Sequence, residues 1–251
     1  MILKLFLIFL HLSISIKDFI LSYVCWLNKP FEIFKKRKWT SDQLKKDAKS
    51  LSKLPLHLSF VIIEDKVSFA DLASLIVWSM TMDISCVSIF DVQGVCKKNK
   101  SLLQHEIHKK QKDIIGSKYT RSQYIISNND EELHNGCRSP CKSNIKLFSL
   151  EDGQRHLGET ARKLCSMVSK SQFRMNDIVP DTINKLLIEH HGCQDPDLII
   201  RFGKPQVMYG YLPWQIRLSQ IQSHPSHLNI DYQSFLNHLQ CYSSSHQRFG
   251  K

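Results

Sequence analysis

From residue 54 onward, short apolar runs alternate with longer amphipathic segments, which is typical of strands alternating with helices. Four runs have the length and β-branched content of buried strands, at 56–63, 86–90, 145–150 and 196–201. One helix is predicted to end at Met82. Four others are predicted to cover 101–112, 153–169, 180–190 and 232–242. This order predicts an α/β fold in which helices flank a parallel sheet.

Local signals fix some of the element boundaries. Ser68 is predicted to be the N-cap of the helix ending at Met82, because Asp71 follows three residues later, as in a capping box. Asp231 is the predicted N-cap of the last helix. Residues 116–144 are polar and have no regular period, so we expect a mobile surface excursion there.

The N-terminal segment 5–27 consists mostly of Leu, Ile and Phe, interrupted by His11 and by the adjacent charges of Lys17 and Asp18. As one helix it would be about 35 Å long at ~1.5 Å per residue, which is enough to cross a bilayer. Two alternatives stay open: a cleaved signal peptide, or a helix lying in the membrane interface. We favour a membrane-spanning anchor over 1–28, because the apolar run resumes after Asp18 and Trp26 is typical of an interface.

The flanks of this segment predict its orientation. Lys29 and the cluster 35–38 follow it, whereas only Lys4 and the α-amine precede it. The positive-inside rule then puts the folded domain in the cytosol. We expect 29–53 to be a basic, solvated linker and 54–251 to be the folded domain.

Composition excludes several classes of protein. The 251-residue chain is 42% hydrophobic and 23% charged, which argues against a disordered, collagenous or multi-span membrane protein. All nine glycines lie at Gly94 or later, so the first predicted strand is not followed by a glycine-rich phosphate loop.

The net charge of +11 comes from two short segments. Ten basic and four acidic residues lie within 1–50, and eight basic and two acidic residues lie within 97–121, so each segment carries a net charge of +6. Neither segment shows the recognition-helix or aromatic pattern of nucleic-acid binders. We therefore expect no nucleic-acid partner.

The eight cysteines do not form a recognisable metal or disulfide framework. Cys137 and Cys141 have no second pair at zinc spacing, and the run from His190 to Cys193 is too compact to complete a tetrahedral site alone. We expect reduced cysteines, as in a cytosolic domain, and no metal site.

Several motifs in the second part of the chain resemble the cis-prenyltransferase family. They are Leu54-Pro55-Leu56-His57-Leu58, Pro196-Asp197-Leu198-Ile199-Ile200-Arg201, Leu212-Pro213-Trp214-Gln215 and the terminal Arg248-Phe249-Gly250-Lys251. The similarity begins near residue 54 and covers roughly four-fifths of the chain. It is strongest to the family's non-catalytic subunits, which work with a catalytic subunit, dehydrodolichyl diphosphate synthase. The resemblance implies a parallel sheet flanked by helices, and a dimer that adds isopentenyl units to an allylic diphosphate with Mg²⁺.

Two motifs of the active members are degenerate here. Active members read Asp-Gly-Asn where this chain has Ile63-Glu64-Asp65, so the catalytic carboxylate is missing at Ile63. Their pattern Arg-Thr-Ser-Gly-Glu-x-Arg-x-Ser-Asn falls without gaps on residues 201–210, where only Arg201 is retained. The metal-binding Glu falls on Pro205 and the second Arg on Val207, so the resemblance implies that this pocket has lost its Mg²⁺ and diphosphate ligands.

The end of the chain resembles the short C-terminal motif that, in this family, reaches into the other subunit's active site. Arg248 is expected to bind a diphosphate, and Gly250 lets backbone N–H groups approach the phosphate oxygens. The predicted site residues are therefore Arg248 and Gly250 as catalytic groups, and Arg248, Phe249 and Gly250 for isopentenyl diphosphate. Family analogy also gives a candidate dimer surface at 212–221 and on the last helix.

These expectations describe an accessory, catalytically degenerate subunit of a heteromeric cis-prenyltransferase at the endoplasmic reticulum membrane. Such a complex elongates an allylic diphosphate with isopentenyl diphosphate for dolichol synthesis and protein glycosylation. We expect this chain to be inactive alone, to anchor and stabilise its partner, and to leave Mg²⁺ mainly to that partner. The alternative is a membrane receptor or lipid-binding adaptor with no catalytic contribution.

Overall fold

The computed structural model describes Ile16 and residues 39–116, 124–127 and 143–246. The chain divides into two units, Met1–Lys38 and Trp39–Lys251, and the sheet and its helices belong to the second. Within the described ranges, no helix has both the length and the apolar character that a bilayer crossing requires. The predicted anchor at 1–28 lies outside the described residues, apart from Ile16.

A six-stranded, wholly parallel sheet forms the centre of the second unit. Its strands are β1 (His57–Ile62), β2 (Cys86–Asp91), β3 (Tyr124–Ser127), β4 (Ser143–Phe148), β5 (Leu198–Phe202) and β6 (Gln220–His224). The spatial order is β3-β4-β2-β1-β5-β6, so β1 lies between β2 and β5 in the middle. The predicted parallel α/β sheet is confirmed.

Seven α-helices connect and flank these strands in the described part of the chain. They are α1 (Ser41–Ser50), α2 (Phe69–Thr81), α3 (Val95–Lys98), α4 (Lys100–Ile115), α5 (Gln154–Ser169), α6 (Pro180–His191) and α7 (Tyr232–Ser244). The predicted caps are confirmed: the Ser68 hydroxyl accepts the Asp71 N–H at 3.4 Å, and the Asp231 carboxylate accepts the Ser234 N–H at 3.1 Å.

The sheet is covered on both faces, which explains why most side chains of its central strands are apolar. All six residues of β1 are buried. Phe60 belongs to a large cluster that includes residues of α2, α4 and α7, while its neighbour Val61 belongs to a smaller cluster with Phe90 and Tyr211. Successive side chains of a strand point to opposite faces, so β1 contributes to both clusters.

Two strands were not predicted, and both lie at edges of the sheet. The four-residue β3 lies within the segment 116–144 that was predicted as a surface excursion, so that prediction is wrong for residues 124–127. Strand β6 has no fully buried residue and carries polar side chains at most positions. An edge strand has a neighbouring strand on one side only, so more of its surface is exposed than in a central strand. It therefore needs no continuous apolar run.

Helix α1 corrects the predicted linker. Residues 41–50 fall inside the segment 29–53 that was expected to be solvated, yet they form a helix. Leu44 is fully buried in the large core cluster, and the Tyr232 hydroxyl donates to the Asp47 carboxylate at 2.8 Å. The segment was misread because α1 has one fully buried residue among many charged ones. The domain boundaries themselves remain a prediction.

Candidate functional site

The carboxyl ends of β1, β2 and β5 meet at one edge of the sheet, which is where open α/β sheets bind their ligands. Strand β1 is followed by Ile63 and Glu64, β2 ends at Asp91, and β5 ends just after Arg201. This edge is the candidate site, because segments 63–65 and 201–210, which were predicted to correspond to active-site motifs, both begin here.

Ile63 is held in an apolar environment. Its backbone N–H donates to the Phe202 carbonyl at 3.0 Å, and its side chain packs against the smaller core cluster. Gly203 follows with φ of +120°, and a Cβ at that position would lie 3.2 Å from the Ile63 Cβ. Position 63 is therefore occupied by a packed hydrocarbon side chain beside a close backbone crossing.

Glu64 is bound by a buried histidine. The His227 side chain is fully buried, its Nδ1 contacts Glu64 Oε2, and its backbone N–H donates to the same carboxylate oxygen at 2.8 Å. The ring's other nitrogen, Nε2, accepts the Ser68 N–H at 2.9 Å. Because Nε2 is an acceptor, Nδ1 carries the proton and donates to Glu64.

This arrangement covers the N-terminus of α2. His227 accepts the Ser68 N–H, the Ser68 hydroxyl accepts the Asp71 N–H, and the Asp71 carboxylate accepts the Asn229 N–H at 3.1 Å.

Burial raises the pKa of Glu64, but hydrogen bonds from Ser226 and His227 outweigh that effect and lower the pKa overall. A carboxylate that stays ionised here interacts favourably with the helix dipole and repels a phosphate.

Arg201 is directed into its own loop. The guanidinium is almost fully buried, and it contacts the Pro205 carbonyl and donates to the Ser223 hydroxyl at 2.7 Å. No carboxylate pairs with it among the residues described. Val207 and Tyr209, at positions where active members carry Arg and Ser, are about half exposed. The one retained basic residue of the degenerate motif therefore stabilises the loop after β5.

The other buried carboxylates at this edge also have structural partners. Asp91 accepts the Val95 N–H at 2.6 Å and the Cys96 N–H at 2.9 Å, which caps α3. Asp152 accepts the Lys97 ammonium at 2.5 Å and the Ser149 N–H at 2.7 Å. Both oxygens of Asp91 and Oδ2 of Asp152 thus accept hydrogen bonds within the fold.

The residues present do not fit the Mg²⁺ that the family implies. Magnesium requires oxygen ligands in octahedral geometry. In the described ranges, the two groups of converging metal-ligand side chains consist of histidines and cysteines and contain no carboxylate. Glu64, Asp91 and Asp152 each accept hydrogen bonds from groups of the fold, so we derive no metal-dependent step within this chain.

The predicted site residues Arg248, Phe249 and Gly250 lie outside the described residues, and the structure does not test them. In the candidate dimer surface, Leu212 is buried in the smaller core cluster, and Trp214 donates its indole N–H to Asn184 at 2.5 Å. Ile221 on the edge strand β6 is 46% exposed. Residues 212–221 thus divide into a packed part and an exposed part.

Sequence reasoning missed His227, whose contacts with Glu64 and Ser68 define this edge. Its partners are 163 and 159 positions away in the chain. No local pattern marks the residue, because a lone histidine in a polar loop has no periodicity. The only sequence signal was at Glu64, which lies in the segment Ile63-Glu64-Asp65 where active members of the family read Asp-Gly-Asn.

Comparison with known proteins identifies the family. The human dehydrodolichyl diphosphate synthase complex subunit NUS1 is 41% identical to this chain over 210 residues, covering 82% of this chain and 70% of the human protein. The chain belongs to the NUS1 family. The mouse subunit of the same name is also 41% identical, over 212 residues, covering 82% of this chain and 69% of the mouse protein. No family model matches the chain.

Solved structures agree on the fold of this NUS1 family member. Lavandulyl diphosphate synthase from Lavandula x intermedia, crystallised with dimethylallyl diphosphate, aligns with a TM-score of 0.54 at 16% identity, covering 79% of this chain and 99% of that one. At this identity the likeness concerns the fold alone. The relatives confirm the predicted resemblance to a subunit of the dehydrodolichyl diphosphate synthase complex, and the fold agrees with the predicted cis-prenyltransferase-like sheet.

Proposed function

We propose that this NUS1 family member is the accessory, catalytically degenerate subunit of a heteromeric cis-prenyltransferase. The complex would elongate an allylic diphosphate with isopentenyl diphosphate for dolichol synthesis and protein glycosylation. The relatives are named as subunits of the dehydrodolichyl diphosphate synthase complex. The observation that carries the degenerate role is the contact of His227 with both Glu64 and the Ser68 N–H at the start of α2.

The argument against catalysis within this chain is electrostatic. A diphosphate bound at the N-terminus of α2 would need the backbone N–H groups that attract anions there. It would have to displace His227 from the Ser68 N–H and approach the ionised Glu64 carboxylate. Ile63 and Pro205 offer no oxygen side chain for Mg²⁺ in exchange. The partner would therefore bind Mg²⁺ and the allylic substrate.

A heteromer needs a surface for the partner. The outer edge of β6, which ends the sheet, carries the exposed Ile221, with the exposed Leu218 just before the strand. An exposed strand edge and apolar side chains favour association. We place the catalytic subunit against this edge and α7. The N-terminal segment 1–28 would anchor the complex in the endoplasmic reticulum membrane, with the folded domain in the cytosol.

The direct contribution to chemistry would come from the C-terminus. Arg248 would bind the isopentenyl diphosphate held by the partner, and Phe249 and Gly250 would bring the backbone close to its oxygens. An arginine–phosphate contact is a charge-assisted hydrogen bond, commonly bidentate. Helix α7 ends at Ser244, and His246 is the last residue of the chain that the structure describes.

Arg248→Ala in the co-purified complex tests this role. Loss of the contact should cost about 1.5 to 3 kcal/mol, which is roughly a ten- to hundred-fold loss in isopentenyl incorporation at low isopentenyl diphosphate. The defect should appear in the KM for isopentenyl diphosphate, in kcat, or in both, and spare the allylic substrate. Arg162→Ala, an exposed arginine of α5, is the matched control and should leave turnover unchanged.

Two results would overturn parts of the proposal. If the Arg248→Ala complex assembles and turns over at the wild-type rate at low isopentenyl diphosphate, the C-terminal role is wrong and the adaptor alternative gains. If the wild-type chain does not co-purify with a catalytic homologue, the heteromer itself is wrong.

A further inference from the structure

The amino end of the sheet, opposite the candidate site, holds a cluster of His57, Cys86 and Cys193. His57 and Cys86 are the first residues of β1 and β2, and they are direct partners in the strand register. Cys193 follows Gly192, which ends α6 with φ of +62°. The sheet and the turn after α6 thus bring together three side chains that are far apart in sequence.

The spacing of these side chains suits a tetrahedral metal ion. One ligand atom from each residue lies within 4.8 Å of the other two. Around Zn²⁺, with Zn–S of about 2.3 Å and Zn–N of about 2.0 Å, tetrahedral ligand atoms are about 3.3 to 3.8 Å apart. Small side-chain rotations would therefore close the cluster onto a metal, with no change in the strands.

The orientation of His57 is fixed in the way that metal-binding histidines usually are. Its Nδ1 lies 2.6 Å from the Gln194 carbonyl, to which it donates, so Nε2 carries the lone pair. The Asp197 carboxylate accepts the His57 N–H at 3.0 Å and ties the same turn to the start of β1. Ser88 Oγ lies 2.8 Å from Nε2 of His57, and a bound metal would replace this contact. Ser88 would still have its hydrogen bond with the Tyr211 hydroxyl, at 3.2 Å.

The side chains of Cys86 and Cys193 are hydrogen-bonded to each other. A hydrogen bond from Cys193 is the main cause that lowers the pKa of Cys86, while the same interaction raises the pKa of Cys193. His57 and the positive charge of Lys146 also lower the pKa of Cys86, against the opposing effect of burial.

We propose that His57, Cys86 and Cys193 bind Zn²⁺ at the amino end of the sheet, with the fourth coordination position open to water. Two thiolates and one imidazole form a soft ligand set that suits zinc and excludes Mg²⁺. The ion would join the turn after α6 to the starts of β1 and β2. The site is separate from the carboxyl edge and does not depend on the proposed function.

Zinc content and cobalt substitution of the full chain test the proposal. The chain, purified in detergent under reducing conditions without chelator, should contain about one zinc per chain. After chelation and reloading with Co²⁺, it should show the absorption of tetrahedral cobalt and a thiolate-to-cobalt charge-transfer band, which an all-histidine site would lack. Cys86→Ser and Cys193→Ser should each weaken zinc binding at least ~10-fold, because even outer partners of metal ligands contribute that much.

Matched controls exclude other sources of the signal. Cys165→Ser changes an exposed cysteine of α5, and Cys137→Ser/Cys141→Ser removes the cysteine pair noted in the sequence; both should bind zinc like the wild type. The wild-type chelation experiment needs no variant, so it stays informative if a variant fails to fold. Absence of tetrahedral cobalt absorption in the wild-type chain overturns the proposal, as does loss of zinc with the 137/141 variant alone.

Discussion

The contact between Glu64 and His227 can be used to test whether this pair blocks the N-terminus of α2 at the carboxyl edge of the sheet. Glu64→Ala removes the acceptor of two N–H groups of His227, a residue with no solvent exposure. Each lost hydrogen bond to a charged group costs about 1.5 to 3 kcal/mol when the donor stays buried. The Glu64 side chain is 18% exposed, so water can replace part of this loss. We therefore expect the free energy of unfolding to fall by about 2 to 4 kcal/mol.

Glu64→Gln separates hydrogen bonding from charge. Its amide oxygen can still accept from His227, so the expected loss is about 1 kcal/mol. The pKa of Glu64 in the folded chain lies below its ordinary value of 4.5. Its charge therefore stabilises the fold above that value, and this stabilisation is lost as the pH falls through the lower folded pKa. The difference between wild type and Glu64→Gln should shrink below about pH 4.5.

Urea unfolding of the full chain in detergent, followed by tryptophan fluorescence between pH 7 and pH 4, measures these differences. Glu151→Ala is the matched control, because that exposed carboxylate makes only a 3.7 Å surface pair with Arg155. The control should change stability by less than about 0.5 kcal/mol. A Glu64→Ala chain as stable as wild type at pH 7 would show that His227 does not depend on this carboxylate, and the account of the blocked α2 terminus would fail.

Three further predictions concern other parts of the chain. Leu44→Ala should lower the free energy of unfolding by about 2 to 5 kcal/mol, measured by urea unfolding, because the side chain is fully buried; a change below about 1 kcal/mol would mean that α1 does not pack on the core. The isolated chain should incorporate no isopentenyl units with Mg²⁺ present, since Ile63 and Pro205 stand at carboxylate positions, and turnover without a partner would refute the degenerate role. Protease added to intact microsomes should digest the domain beyond Lys38, whereas full protection would indicate a lumenal domain.

Much of the fold could be predicted from sequence because its central elements are encoded locally. Strands β1, β2 and β5 are buried on both faces, so most of their side chains are apolar, with only a few buried polar residues such as Ser59 and Ser88 between them. The cap at Ser68 is read within four residues, and its hydrogen bond is present. The elements that were missed, such as α1 and β6, bury few side chains, and their sequences therefore resemble solvated segments.

By itself, the sequence determined the alternation of strands and helices, the family, and the absence of a carboxylate side chain at Ile63 and Pro205. These properties depend on residue identity and on neighbours within about one helical turn or one strand. Only the tertiary structure decided which groups surround Glu64 and Cys86. Parallel strands bring their equivalent ends together, whatever the length of chain between them. For this reason His227 contacts Glu64 although 163 positions separate them, and Cys193, in the turn after α6, lies beside Cys86.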